Sequence, residues 1–295
     1  MKRYLPLLFS LFLIYTPAYS FDEPDSLTSK WELFPSHKNF KPLMANLIEP
    51  RIGLLKFTCT DEMRVDIGNS IDMTAFELDQ NNSFHLGIDF FAFARTTGAQ
   101  GLRLQIDAVD GFFGGHITYR NEKELTGGDF DVRLRILHHS AHLVDGHYVN
   151  STHSWIDNRE PIPYTQDFGE LTLSQTALCS NFALRYYGGL AYASLIRPNT
   201  INRNSYFLGG EISSPSFIGR VLGKPVNLFT AYHLAFTGEP TYHTTHQVQA
   251  GVKFGSWNEA GLTIYLAYYN GTHMFGEYYN DRLETFGLGF SVEFL

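Results

Sequence analysis

The sequence predicts an all-β protein: a closed antiparallel transmembrane barrel of about twelve strands, entered through a short N-terminal periplasmic lead-in. Three observations carry that expectation. From Arg51 to the C-terminus, apolar residues recur with a period of two. Several of the alternating stretches are longer than the ~5–6 residues of a sandwich strand and match the ~9–11 that a tilted strand needs to cross a bilayer. The chain ends on an amphipathic strand rich in Phe.

Taken in order, residues 1–20 read as a secretory signal. Lys2 and Arg3 are followed by an apolar stretch from Leu5 to Tyr15 and by Ala18-Tyr19-Ser20, which puts small residues where a signal peptidase reads them. The apolar stretch is too short for a membrane-spanning helix, so cleavage near Ser20 is expected. Residues 21–50 form the lead-in. They are polar and broken by proline, hold Trp31, Phe34, Phe40 and Leu43 without a clean period, and are expected to pack against the periplasmic end of the barrel. Residues 51–295 are then the outer-membrane barrel.

The strand evidence lies in parity. Leu86, Ile88, Phe90, Ala92 and Ala94 alternate with His85, Gly87, Asp89, Phe91 and Phe93. Val132, Leu134 and Ile136 alternate with Asp131, Arg133 and Arg135; Leu102, Leu104 and Ile106, Val248 to Phe254, and Leu262 to Tyr268 repeat the pattern. Successive side chains of an extended chain point to opposite faces, so each stretch has an apolar face for lipid and a polar or small one for a lumen. Long strands are expected over 83–94, 129–142, 182–195, 225–237, 244–255 and 283–294. Residues 51–77 have room for one or two strands, and Gly111, Gly114 and Gly115 blur 109–120. Gly255–Gly261 and the stretch around Thr96–Gly101 read as short periplasmic turns, 144–167 and 271–282 as external loops.

Composition agrees with this class. The chain holds 25 Phe and 17 Tyr, and only 18% of its residues are charged, below the ~25% usual for soluble domains. A net charge of −8 argues against a nucleic-acid partner, which needs clustered cations. Cys59 and Cys179 are too few and too far apart in sequence to form a disulfide framework, and no CxxC or Cys/His zinc spacing occurs. On the expected lumen wall, Arg103, Asp107, Arg133, Arg135, Arg185, Glu211 and Lys253 carry both signs, as in a plugged barrel or a narrow pore. A structural or small-pore role in the envelope follows from these features.

One stretch suggests chemistry. His138-His139-Ser140-Ala141-His142, followed by Asp145 and His147, holds four of the twelve histidines. By parity His138, Ser140 and His142 continue the lipid-facing side of Val132–Ile136, at the external end of an outward-running strand. A neutral imidazole beside a serine takes its proton and makes it a nucleophile, provided a third group orients the ring. Asn158 is the expected orienting group, with Asp145 as the alternative. Two other readings stand beside this one: an interfacial belt of His, Ser and Tyr with no chemistry, and metal binding by His138, His142 and His147.

The His138-x-Ser140 pair, with the Ser154-Trp155-Ile156-Asp157-Asn158-Arg159 run beyond it, resembles outer-membrane phospholipase A. That enzyme carries its His-x-Ser pair on the outer face of a barrel strand and its orienting Asn on the next. The resemblance implies an acyl hydrolase acting on phospholipid or lipid A, with calcium as the cofactor that stabilises the oxyanion. The chain as a whole resembles the bacterial outer-membrane proteins catalogued as domain of unknown function 1207. This likeness rests on Trp31-Glu32-Leu33-Phe34-Pro35, Phe40-Lys41-Pro42-Leu43-Met44-Ala45 and Glu49-Pro50-Arg51, and on His138-His139-Ser140-Ala141-His142-Leu143-Val144-Asp145. It implies an envelope location. The terminal strand Phe286–Phe294 resembles the signal read by barrel-assembly machinery, although Leu295 follows the last Phe. That machinery and outer-membrane lipids are the expected partners.

Overall fold

A computed structural model describes residues 30–99, 103–124, 128–179, 181–214, 218–238 and 240–294. The expected signal segment 1–20 lies outside these residues, as do the side chains of Arg103 and Asp145. Among the described residues no helix is long and apolar enough to cross a membrane.

Twelve long antiparallel strands close into a barrel. They are β1 (Ile52–Phe57), β2 (Glu62–Glu77), β3 (Asn82–Ala99), β4 (Arg103–Glu124), β5 (Gly128–Leu143) and β6 (Tyr164–Leu178), then β7 (Ala183–Arg197), β8 (Asn204–Ser214), β9 (Lys224–Gly238), β10 (Tyr242–Phe254), β11 (Gly261–Thr272) and β12 (Arg282–Glu293). Each pairs with its neighbours in sequence, and β12 closes on β1 from Val292↔Ile52 to Gly287↔Phe57. Closure gives the wall's strands a partner on each side, which an open sheet in lipid lacks.

Parity decides what faces where. Along β5 the burial alternates from Phe130 to Leu143: Arg135 is fully buried while Ile136 beside it is 67% exposed. Leu86, Ile88 and Phe90, Leu134 and Ile136, Leu171 and Leu173, and Phe286, Leu288 and Phe290 form an apolar outer band. Asp107, Arg133, Arg135, Arg185, Glu211 and Lys253 all turn into the lumen. The blurred stretch 109–120 is the middle of the longest strand, β4. Its glycines mark close packing: a Cβ at Gly114 would lie 2.0 Å from the Ile136 carbonyl oxygen of β5. Residues 51–77 resolve into two strands.

The first barrel strand begins, and the last one ends, at the same end of the barrel, here called inner. The turn 255–260 lies there, as expected. The stretch around Thr96–Gly101 does not: Thr96–Ala99 is the last part of β3, which runs outward, so it stands at the outer end with the segments 144–163 and 273–281, and residues 100–102 lie outside the described ones. Short connections occur at either end of a barrel, so shortness alone does not assign a side. Cys59 lies in an outer-end turn and Cys179 in an inner-end one; both are free and exposed.

The lead-in does more than lead in. Lys30–Leu33 pairs with the inner end of β2, and the chain then turns into the lumen. Asn39, Phe40, Leu43, Met44, Ala45, Asn46, Leu47 and Glu49 are buried there. Their contacts reach strands all round the wall. The Asn39 N–H donates to Asp72 at 2.9 Å, the Met44 N–H to Glu211 at 2.7 Å and the Leu47 N–H to Gln247 at 3.1 Å. Glu49 accepts from Arg133, while Arg64 and Arg135 donate to the Leu47 and Ile48 carbonyls. Phe40 lies between the guanidinium groups of Arg133 and Arg185, 4.3 and 4.8 Å from its ring. From the outer side, Phe275 is fully buried against Phe93, and the Gly276 N–H donates to Asp110 at 2.9 Å.

Candidate functional site on the outer face

His138, Ser140 and His142 project outward from the outer half of β5, above the apolar Val132–Ile136 stretch, as parity predicts. The strand alternates because Arg133, Arg135, Leu137 and His139 are drawn into the lumen by ion pairs and packing. The intervening residues have only the outer face left to them.

β6 supplies the orienting group. His138 stands opposite Asp167, and its Nδ1 lies 2.6 Å from Asp167 Oδ1. A carboxylate only accepts, so Nδ1 carries the proton and Nε2 is the basic nitrogen of the neutral ring. The ring also packs on Phe113 of β4, with centroids 4.7 Å apart. Both partners reach the outer surface: the His138 side chain is 32% exposed and that of Asp167 45%. One row further out, Ser140 lies between Gly111 and Thr165. The Ser140 hydroxyl is hydrogen-bonded to neither His138 nor His142. Same-face residues on a strand are ~6.6 Å apart at Cα, so Ser140 and His138 are neighbours on the outer face without being in contact.

The other expected residues are placed elsewhere. Asn158 sits in the outer segment with a left-handed backbone, φ 53°, and is exposed in the lumen mouth near Arg95, Arg159 and Asp281. No hydrogen bond joins it to the His138 pair. His147 is buried beneath the outer segment, 3.8 Å from Asp107 and edge-on to Tyr278, so it does not converge with His138 and His142 on a metal. No group of three or more metal-ligating side chains is assembled among the described residues. His139 faces inward and binds Asp110 at 2.7 Å.

Asp167 is the residue that reading the sequence missed. Composition alone puts it in an external loop spanning 144–167, whereas β6 begins at Tyr164. The signal was present: Leu171 and Leu173 are outward, and counting back by twos puts a carboxylate on the lipid side.

Solved structures are similar to the chain at low identity. The beta domain of the Bordetella autotransporter BrkA matches at 12% identity and a TM-score of 0.41, covering 82% of this chain and 98% of that one. The Pseudomonas putida toluene transporter TodX matches at 9% identity and a TM-score of 0.41, covering 79% and 69%. The CymD monoaromatic hydrocarbon channel gives 9% and 0.41, covering 79% and 74%. No curated protein matches the chain. A family model covers residues 112–294, which include the His138–Asp145 stretch and exclude the Trp31–Arg51 one. The match spans more than half of the sequence, and the chain belongs to the family described as protein of unknown function, DUF1207.

Proposed function

We propose that the protein is an integral barrel of the bacterial outer membrane with a closed lumen and a structural role in the envelope. The observation that carries this reading is the lead-in. Its residues Asn39, Phe40, Leu43, Met44, Ala45, Asn46, Leu47 and Glu49 are buried among lumen-facing side chains from β2, β5, β8 and β10. A water-filled pore has no such segment across it. Purified protein in a planar bilayer is expected to give no steady conductance steps. Large and stable steps from the intact chain overturn the closed-lumen reading.

A second reading is favoured by one contact, the 2.6 Å pair between His138 and Asp167 on the lipid side. In this reading the protein is a lipid acyl hydrolase. Ser140 attacks an ester carbonyl of outer-leaflet phospholipid or lipid A while His138 Nε2 takes the serine proton; the ester C–O bond breaks and the lipid alcohol leaves with that proton. Water, deprotonated by the same nitrogen, then hydrolyses the acyl-serine to release the fatty acid, and Asp167 holds the ring and balances the imidazolium charge. Asp167 fills the place expected for Asn158. Labelled phospholipid and lipid A, incubated with the refolded protein with and without calcium, test it. Fatty-acid release is expected to vanish in Ser140→Ala and to fall about a hundred- to ten-thousand-fold in Asp167→Asn. Asn158→Ala is expected to leave it unchanged. No release with either lipid, with or without calcium, leaves the structural reading alone.

A further inference from the structure

β7 changes parity near its outer end. Tyr192 is exposed on the outer face, and strict alternation would turn Ser194 and Ile196 outward and Arg197 into the lumen. A β-bulge between Ala193 and Leu195 adds one residue, so that Leu195 stands opposite Asp167 and Arg197 opposite Thr165. Ile196 is thereby buried on the lumen side, while Leu195 and Arg197 are exposed. The bulge is held by side chains. Arg203 donates to the Ala193 and Ser194 carbonyls at 2.7 and 2.6 Å, and the Ser194 hydroxyl donates to the Asp167 carbonyl at 3.1 Å. Bulges at barrel rims re-aim a side chain, and the one re-aimed here is Arg197, the last residue of an outward-running strand.

Arg197 completes a row. Ser140, Thr165 and Arg197 stand side by side on β5, β6 and β7 at the outer end of the wall. Thr165 commits its hydroxyl to the His139 carbonyl at 3.1 Å. Among the described residues the Arg197 guanidinium has neither an ion-pair nor a hydrogen-bond partner. Its planar fork of N–H groups matches the oxygens of a phosphate, and basic side chains at a membrane surface attract anionic headgroups. Asp167, one row inward, repels an anion from that side, so a phosphate is held on the outward side of Arg197. The apolar part of a lipid has a place on the same face. Two steps of ~6.6 Å inward from Thr165 along β6 comes Gly169, which pairs with Ile136 and Tyr192. A Cβ there would have one neighbour within 4 Å, the Arg135 carbonyl oxygen at 3.9 Å. At Gly189 on β7 a Cβ would lie 2.3 Å from the Phe207 ring, so packing demands that glycine and does not demand Gly169. What Gly169 leaves is a notch between the exposed Ile136 and Tyr192. The polar layer of a bilayer is about 5–7 Å deep on each side, so a lipid whose phosphate meets Arg197 has acyl chain at the depth of the notch.

We propose that the outer face of β5, β6 and β7 is a binding site for one phosphate-bearing lipid of the outer leaflet, with Arg197 holding the phosphate and the Gly169 notch one acyl chain. The site rests on the outer-membrane reading, and on neither the closed lumen nor the hydrolase chemistry. Under the hydrolase reading, a lipid held there has its ester region at the depth of Ser140 and His138.

The test uses the refolded mature chain in neutral detergent, with bis-phosphorylated lipid A titrated in and bound lipid counted by native mass spectrometry. One lipid A per barrel is expected at low ratios, with at least tenfold weaker binding of the same lipid after dephosphorylation. Arg197→Gln and Gly169→Leu should each weaken lipid A binding at least fivefold. Arg220→Gln, which removes an exposed arginine at the inner end, should leave it unchanged. Heat-modifiable gel migration reports the barrel itself, so a folded chain that retains no lipid A overturns the site and leaves the outer-membrane reading standing. Equal binding of the dephosphorylated lipid overturns the phosphate contact. An equal loss in Arg220→Gln and Arg197→Gln shows general charge attraction and overturns the site as well. Displacement of lipid A by an equal concentration of inorganic phosphate, or undiminished binding in folded Gly169→Leu, overturns the role of the notch.

Discussion

Arg135→Ala is expected to destabilise the barrel by about 3–5 kcal/mol. Arg135 is fully buried on the lumen wall and gives Glu170 two hydrogen bonds, at 3.0 and 2.9 Å, and the Ile48 carbonyl a third, at 3.1 Å. Removing it leaves two buried carboxylates, Glu49 and Glu170, facing a single guanidinium. Arg133 already serves Glu49 through both terminal nitrogens and reaches Glu170 only at 3.3 Å. The large effect comes from this uncompensated charge, not from the net worth of the ion pair, which desolvation largely offsets. Arg135→Lys keeps the charge but loses the planar fork, so a smaller loss of roughly 1–2 kcal/mol is expected. Arg159→Ala is the contrasting case. Its pair with Asp281 lies in the open mouth, with side chains 30% and 42% exposed, where an ion pair contributes about 0–1 kcal/mol. Urea unfolding in vesicles, followed by heat-modifiable migration, separates the three. If Arg135→Ala costs no more than Arg159→Ala, the inner lumen is wet and the lead-in does not seal it.

The wall of this protein was legible in its sequence, and the filling was not. Parity along Val132–Ile136 placed His138, Ser140 and His142 on the outer face, because a strand's period is two and the apolar set has to meet lipid. The same parity put Arg133, Arg135, Glu211 and Lys253 inside. The lead-in has no period, and what fixes it lies far along the chain: Glu49 meets Arg133 across 84 residues, and Leu47 meets Gln247 across 200. No local pattern encodes such contacts. A buried set of arginines and glutamates was the indirect sign, since lumen charges of both signs need partners in a dry interior. Asn158 failed for a related reason. The fourteen residues 144–157 separate it from β5, and the segment's direction of travel, over the mouth and away from the outer face, is set by Arg159 contacting Asp281 and Tyr278. Asp167 was within reach, because it lies in a strand and obeys the strand's parity.

Removing the lead-in is expected to turn a silent barrel into a conducting one. The variant lacks residues 21–50 and begins the barrel directly at Arg51, so that β1 keeps its pairing with β12 and β2. The strands close among themselves without any residue of the lead-in, and the apolar outer band stays intact. What is lost lies inside. Arg64, Arg133, Arg135, Arg185 and Glu211 lose the backbone and side-chain partners that residues 40–49 supply. Water is the replacement partner for such charges, and a hydrated inner lumen is a path for ions. The outer side sets how far that path extends. Phe275 and the Gly276–Asp110 bond remain, so the lead-in deletion alone is expected to give brief, small openings. Replacing residues 274–280 with a short Gly/Ser turn in the same chain should convert them to steady steps. The shortened turn alone, with the lead-in present, should remain silent. The two changes therefore act as barriers in series, and the order of the three traces is the observable. Steady steps from the shortened-turn variant alone would show that the outer segment is the barrier and the lead-in a loose occupant. Silence from the double variant would mean that the inward-facing side chains of the twelve strands fill the lumen unaided.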